Sequence, residues 1–266
     1  MVPIRGVFAL VLCLICVAGL AGAGAQRPGL TPVAPMGDFT VVARYPHDVT
    51  AFTEGLVYID GQLYEGTGLE QQSQLRLVDL ASGTVLESHT LSDTSEFGEG
   101  IVVLGDTIYQ LTWQSQIAHV YDRDTFEQTG TFTYEGQGWG LTTDGTSLIM
   151  SNGSDKIVYR DPATFEVTRT ISVVDGDQPI ADLNELEYID GVIWANVWRT
   201  NLIARIDPQT GEVIDWLDLS ALDAEVTATN PNVDVLNGIA WNPETGTVFV
   251  TGKFWPTLFE IDLAPK

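Results

Sequence analysis

Short apolar runs, each ended by a turn, follow one another along almost the whole chain, and helical periodicity is nearly absent. The run Ile101-Val102-Val103-Leu104 follows Ser95-Glu96-Phe97-Gly98-Glu99-Gly100, and the same grammar recurs. Phe52-Thr53-Glu54-Gly55-Leu56 precedes it; Gly138-Trp139-Gly140-Leu141, Leu183-Asn184-Glu185-Leu186 and Leu236-Asn237-Gly238-Ile239 come after it. Aligning Gly55, Gly100, Gly140, Glu185 and Gly238 gives spacings of 45, 40, 45 and 53 residues. A sustained period of that size marks a repeat architecture.

Each unit opens with an apolar strand and a tight turn, as at Ile59-Asp60-Gly61, Leu104-Gly105-Asp106 and Ile189-Asp190-Gly191, where glycine or aspartate accepts positive φ. A second strand follows, such as Thr107 to Trp113 or Val192 to Trp198. A third ends at an aspartate: Leu75 to Asp79, Ala118 to Asp122, Ile157 to Asp161, Leu202 to Asp207 and Leu258 to Asp262. In four of the five units a turn then leads into a fourth strand. Leu217 to Val226, in the longest spacer, is the one segment that predicts a turn or two of helix.

Four strands in each of five units predict an all-β fold, a five-bladed β-propeller with four antiparallel strands per blade. The fifth unit stops after its third strand, at Leu263. The strand predicted over Phe39 to Tyr45 is left over at the beginning and supplies the missing fourth, which closes the ring and removes exposed edges. Residues 39–266 are thus expected to form a single domain. His47, in the turn Pro46-His47-Asp48, reads as a turn residue rather than a catalytic group.

The first residues change the picture of the rest. Arg5, the apolar run Val7 to Leu20 and Ala23-Gly24-Ala25 predict a secretory signal over residues 1–25, too short and poorly flanked for a membrane span. Residues 26–38 read as an extended leader. The two cysteines, Cys13 and Cys16, fall in the signal, so the mature chain would hold no disulfide and no thiolate metal site. A secreted or periplasmic location and a monomeric state are expected. The chain carries 36 Asp and Glu against 12 Lys and Arg, a net charge of −24. That balance argues against nucleic acid and anionic membrane partners, whose phosphates need a basic face.

In a propeller the starts of the innermost strands gather at one mouth of the central channel. That mouth is expected to collect Phe52, Glu54, Phe97, Glu99, Trp139, Asn184 and Asn237, with Trp113, Trp198 and Lys253 beside them from the ends of second strands. Aromatics, two carboxylates, two amides and a lysine make a binding pocket by composition. Any single tryptophan can instead wedge between blades, and the two asparagines can simply cap backbone. Glu54 and Glu99 are harder to explain structurally, because each is expected at the inner end of an apolar strand, where an unpartnered carboxylate is costly.

These motifs, together with Leu111-Thr112-Trp113, Leu183-Asn184-Glu185-Leu186-Glu187-Tyr188 and Thr251-Gly252-Lys253, resemble the glutaminyl-peptide cyclotransferases of the plant and bacterial type, over roughly residues 39–263. The resemblance implies a five-bladed propeller that turns the N-terminal glutaminyl residue of a peptide or protein into pyroglutamate and releases ammonia. It implies no cofactor and no catalytic metal, with Glu99 carrying the proton. Phe52, Glu54, Phe97, Trp113, Trp139, Asn184, Trp198 and Lys253 would bind the substrate. Glu54 departs from the glutamine expected in the first motif. A carboxylate there could bind the substrate's ammonium or repel Glu99. Lys253 could hold the substrate carbonyl or neutralise Glu99, and Asn184 and an indole N–H could meet the oxyanion. Two other readings remain open at this point. One is a calcium-dependent propeller hydrolase of lactones, built on Glu54, Asn184 and Asn237. The other is a non-enzymatic propeller that binds peptides or sugars.

Overall fold

The computed structural model describes residues 30–263. Five four-stranded sheets stand around one axis. Blade one holds Thr53–Ile59, Gln62–Thr67, Gln74–Asp79 and Thr84–Thr90. Blade two holds Gly98–Leu104, Thr107–Thr112, Ile117–Asp122 and Gln128–Thr133. Blade three is shorter at its centre, with Leu141–Thr143, Leu148–Ser151, Lys156–Arg160 and Val167–Ser172. Blade four holds Leu183–Ile189, Val192–Val197, Leu202–Ile206 and Val213–Asp218. Blade five combines Leu236–Asn242, Thr247–Gly252 and Thr257–Leu263 with the N-terminal strand Phe39–Pro46, whose Phe39 faces Leu263 and whose Pro46 faces Thr257. The ring closes as the leftover strand predicted.

The burial gradient explains why the chain folds this way. Inner strands such as Gly98–Leu104 are buried on both sides and read as continuous apolar runs, while outer strands such as Gln128–Thr133 are largely exposed. Apolar clusters fill the spaces between neighbouring blades, among them Ile101, Ile108 and Tyr121 with Leu75, and Trp194, Leu236 and Val250 with Phe259. The aspartates that end the third strands are turn formers. The Asp161 and Asp207 carboxylates accept the backbone N–H groups of Ala163 and Thr164, and of Gln209 and Thr210.

At the axis the aligned glycines let blades approach backbone to backbone. A Cβ on Gly55 would lie 2.5 Å from the Ile101 nitrogen of blade two, and one on Gly100 would lie 2.5 Å from the Trp139 oxygen of blade three. Gly100 N–H donates to that oxygen at 2.7 Å. Blade four carries Glu185 at the same place in the repeat. Its buried carboxylate reaches across the axis to the N–H groups of Leu56 in blade one (3.3 Å) and Ile239 in blade five (2.8 Å). Two residues on, Glu187 accepts from Trp241 N–H at 3.1 Å and the Thr142 hydroxyl at 3.0 Å.

Three details depart from the sequence reading. The end of the leader is not merely extended: Met36–Gly37 pairs in parallel with Trp216 and Leu217 at the edge of blade four. Buried Asp175 fixes this strap by accepting the N–H groups of Val33 and Ala34 and the Trp216 indole N–H. A two-stranded hairpin, Val174–Asp175 with Gln178–Pro179, lies between blades three and four. The helix forms slightly later than predicted, over Ser220–Thr229, and buries Leu222 and Val226. The segment read as a signal lies outside the described residues. Among those described, no helix is long and apolar enough to cross a membrane.

Candidate active site

The polar groups of the site sit in β-bulges. In four blades the inner hairpin loses register at the start of its first strand: between Thr53 and Gly55, Gly98 and Ile101, Leu183 and Leu186, and Leu236 and Ile239. Glu54, Glu99, Asn184 and Asn237 fall inside these interruptions. A bulge frees a residue from the alternation of a strand and re-aims its side chain, so residues that regular pleating would send between blades can turn to the axis. Blade three has no register shift in its inner pair; there the corresponding position is Trp139.

The two glutamates meet. Glu54 is 1 % exposed and Glu99 5 %, and their carboxyl groups sit close enough for each to shift the other. Two carboxyls packed together out of water favour a state in which one of them carries a proton. The positions of the cations decide which. Lys253 Nζ donates to Glu54 Oε1 at 2.5 Å, and Asn237 Nδ2 donates to Glu54 Oε2 at 3.1 Å and to the Thr53 carbonyl at 2.9 Å. Burial raises the Glu54 carboxyl, and Lys253 opposes that rise. Glu99 is raised much further, first by burial and then by the negative charge of Glu54. A proton on the pair is therefore favoured on Glu99, and the charge on Glu54.

Rings wall this pair. Phe254 packs edge-on against Phe52 (5.2 Å between centroids), Phe52 against Phe97 (6.0 Å) and Phe97 against Trp113 (5.8 Å). Trp139 packs edge-on against Trp198 at 5.5 Å. Lys253 Nζ lies 4.3 Å from the Phe52 centroid, so the ammonium is held by a ring face as well as by Glu54. The belt bends around Gly68: a Cβ there would lie 2.6 Å from Phe97 Cζ. Trp113 and Trp139 are joined by Gln137, whose Oε1 accepts both indole N–H groups at 2.9 Å.

Of the residues singled out from sequence, Phe52, Phe97, Trp113, Asn237 and Lys253 connect to the carboxyl pair, and Trp139 and Trp198 join them through Gln137, with adjusted roles. Lys253 neutralises Glu54 rather than Glu99. Both Glu54 oxygens have partners, so Glu54 is not an open anchor for a substrate ammonium. Trp113 is 38 % exposed and forms the rim rather than the depth of the pocket. The indole N–H groups of Trp113 and Trp139 are committed to Gln137, which removes them as oxyanion donors. Asn184 is buried and its Oδ1 has no partner. His47 is a buried strut, with Nε2 on Glu65 at 2.9 Å and Nδ1 on the Trp255 carbonyl at 2.7 Å. Sequence reasoning missed Gln137 and Phe254. Gln137 offers no signal beyond an amide between two glycines, and Phe254 only follows Lys253. The calcium reading loses its footing because Lys253 already occupies the cation's place on Glu54. Among the described residues, no three His, Cys, Asp or Glu side chains are grouped to hold a metal ion.

A five-bladed propeller with a buried carboxyl pair inside an aromatic belt defines the class of the molecule and places its candidate pocket at the ring's mouth. The chain belongs to the glutamine cyclotransferase family, whose model matches residues 10–263. It is 41 % identical to an Arabidopsis thaliana glutaminyl-peptide cyclotransferase over 229 residues, which is 85 % of this chain and 71 % of the plant protein. The crystal structure of Myxococcus xanthus glutaminyl cyclase superposes with a TM-score of 0.80 at 36 % identity, covering 86 % of this chain and 98 % of that one.

Proposed function

We propose that this enzyme cyclises the N-terminal glutaminyl residue of peptides to pyroglutamate and releases ammonia, with Glu99 passing the proton. The observation that carries this reading is the buried Glu54–Glu99 pair, with Lys253 on Glu54 and a belt of rings around it. In the reaction the substrate's α-amine nitrogen bonds to its own side-chain amide carbon, and the bond from that carbon to the amide nitrogen breaks. The nucleophile is tethered to its target, so a pocket that folds the side chain removes much of the entropic barrier. One proton must leave the attacking nitrogen and reach the departing one.

Glu99 begins as the acid. It gives its proton to the leaving amide nitrogen and takes one back from the new ring nitrogen, so the enzyme ends as it began. Burial and the charge of Glu54 raise the Glu99 carboxyl well above the usual glutamate range and favour its protonated form. Lys253 and Asn237 hold that charge on Glu54, so the neighbour does not compete for the proton. The unpartnered Asn184 oxygen offers an acceptor to the substrate's α-amine. An extracytoplasmic location, read from residues 1–25, and a monomeric enzyme belong to the same proposal.

The test is ammonia release from a Gln-initiated dipeptide, with a chelator present, by wild type and Glu99→Gln. Acid–base catalysis by one side chain is worth about 10²–10⁴-fold. A loss of that size in kcat, with the fold intact by circular dichroism, is expected. Equal rates from both proteins would overturn the role of Glu99, and no ammonia from the wild type would overturn the activity.

A further inference from the structure

The aromatic belt is open at one point. It runs by ring contacts from Phe254 in blade five through Phe52, Phe97 and Trp113, and after the Gln137 link through Trp139 to Trp198 in blade four. Among the described residues no ring contact joins Trp198 to Phe254, although blades four and five are neighbours. On one side of this break the segment before blade five is polar and pinned to backbone: Asp234 N–H donates to the Lys253 carbonyl at 2.8 Å. On the other side stands Arg199.

Arg199 is exposed, and its guanidinium carbon lies over the Trp198 ring, 4.2 Å from the ring centroid. It has no hydrogen bond and no carboxylate partner among the described residues, whereas Arg44, Arg76, Arg123, Arg205 and Lys253 each have one. Its backbone has φ +62°, a left-handed conformation uncommon for a side chain of this kind. In a chain of net charge −24, an unengaged arginine at the gap in the belt is a local reversal of sign.

We propose that Arg199 is a specificity-determining residue that binds a carboxylate on the second residue of the substrate peptide. The inference rests on the cyclase reading of the pocket. A peptide whose first residue lies against Glu99 leaves the pocket through the break, and its second side chain passes the guanidinium. Planar, two-pronged recognition suits a carboxylate better than a neutral amide. An aspartate or glutamate in second place is favoured by this contact and a lysine or arginine is disfavoured, against the overall pull of an acidic protein on cationic peptides.

The test compares kcat/KM for Gln-Glu-Phe-amide, Gln-Ala-Phe-amide and Gln-Lys-Phe-amide at low ionic strength, with C-termini blocked so that only the second side chain varies. Wild type is measured beside Arg199→Gln and Arg199→Glu. An exposed ion pair is worth up to about fivefold. The ratio of the Glu peptide to the Lys peptide should fall about fivefold in Arg199→Gln and further in Arg199→Glu, with the change in KM rather than kcat. Raising salt should shrink the wild-type ratio toward that of Arg199→Gln. The same ratio in wild type and both variants, each with unchanged circular dichroism, would overturn the proposal. Absence of ammonia from every peptide with the wild type would instead overturn the cyclase reading.

Discussion

Replacing Lys253 by methionine tests the arrangement on which the site depends. The ammonium and Glu54 are 2.5 Å apart, and their side chains are 6 % and 2 % exposed, so water can replace neither partner. Removing the cation leaves a buried carboxylate beside Asn237 and the Glu99 carboxyl. Breaking a buried pair on one side typically costs about 3–5 kcal/mol, or roughly 10 °C in Tm for a domain of this size. The cost depends on pH with a definite sign. Without Lys253 the Glu54 carboxyl rises further above its ordinary value of 4.5, so the folded state holds a proton that the unfolded chain has released. Stability is then lost as pH rises from about 4.5 and is regained on acidification. Urea unfolding at pH 5 and pH 8 of wild type, Lys253→Met, Glu54→Gln and the double variant forms the assay. Lys253→Met should lose most of the expected amount at pH 8 and much less at pH 5. In the Glu54→Gln background the same change should cost little, because no charge is stranded. A deficit that is the same at both pH values, or the same with and without Glu54, would refute the reasoning.

Gln137→Leu removes the acceptor for two indole N–H groups at about 1 kcal/mol each; KM for a Gln-initiated peptide should rise about tenfold with a smaller change in kcat, and unchanged steady-state kinetics would show that the tryptophans hold their places unaided. The Glu187 carboxyl is raised to about 7, mainly by burial, with the N–H groups of Trp241 and Tyr188 and the Thr142 hydroxyl opposing. Its folded value exceeds its unfolded one, so wild-type stability should fall by about 3 kcal/mol from pH 4.5 to pH 7 and level off above. Glu187→Gln should flatten that part of a urea-midpoint profile, and an unaltered slope would rule out Glu187 as its source.

Much of this molecule was legible because the information is local. Each blade announces itself through a glycine or aspartate turn and a β-rich run, and the leftover strand Phe39–Pro46 is visible by simple subtraction. The site residues were legible as a set because propeller topology brings the starts of inner strands together. What stayed hidden depends on atoms distant in sequence. Lys253 and Glu54 are 199 residues apart and meet across the closure of the ring, so their pairing cannot be read from either neighbourhood. The clasp of Gln137 on two tryptophans depends on rotamers. Glu185 carried a signal that was available: it stands where the other units have glycine, and a carboxylate in that place needs donors, which the neighbouring blades supply.

The bulges explain why the chemistry lies at this end of the ring. A regular inner strand alternates its side chains between the two adjoining interblade spaces, and a glutamate so placed would be buried without donors. Interrupting the ladder just before the apolar run turns Glu54, Glu99, Asn184 and Asn237 to the axis, where each can meet groups from other blades. The interruption also leaves backbone groups to satisfy. Asn196 Oδ1 takes the Gly238 N–H at 3.0 Å, and the Glu185 carboxylate takes those of Leu56 and Ile239. Glu185 thus stands beneath the pair as a structural carboxylate, itself pushed well above the usual range, first by burial and then by Glu187. Three buried carboxyls therefore share one axis, and their partners separate their tasks. Backbone donors from two other blades fix Glu185, an ammonium and an amide fix Glu54, and Glu99 has no direct ion pair or backbone donor among the described residues, Lys253 acting on it only through space. The proposed proton transfer falls to Glu99 on this ground.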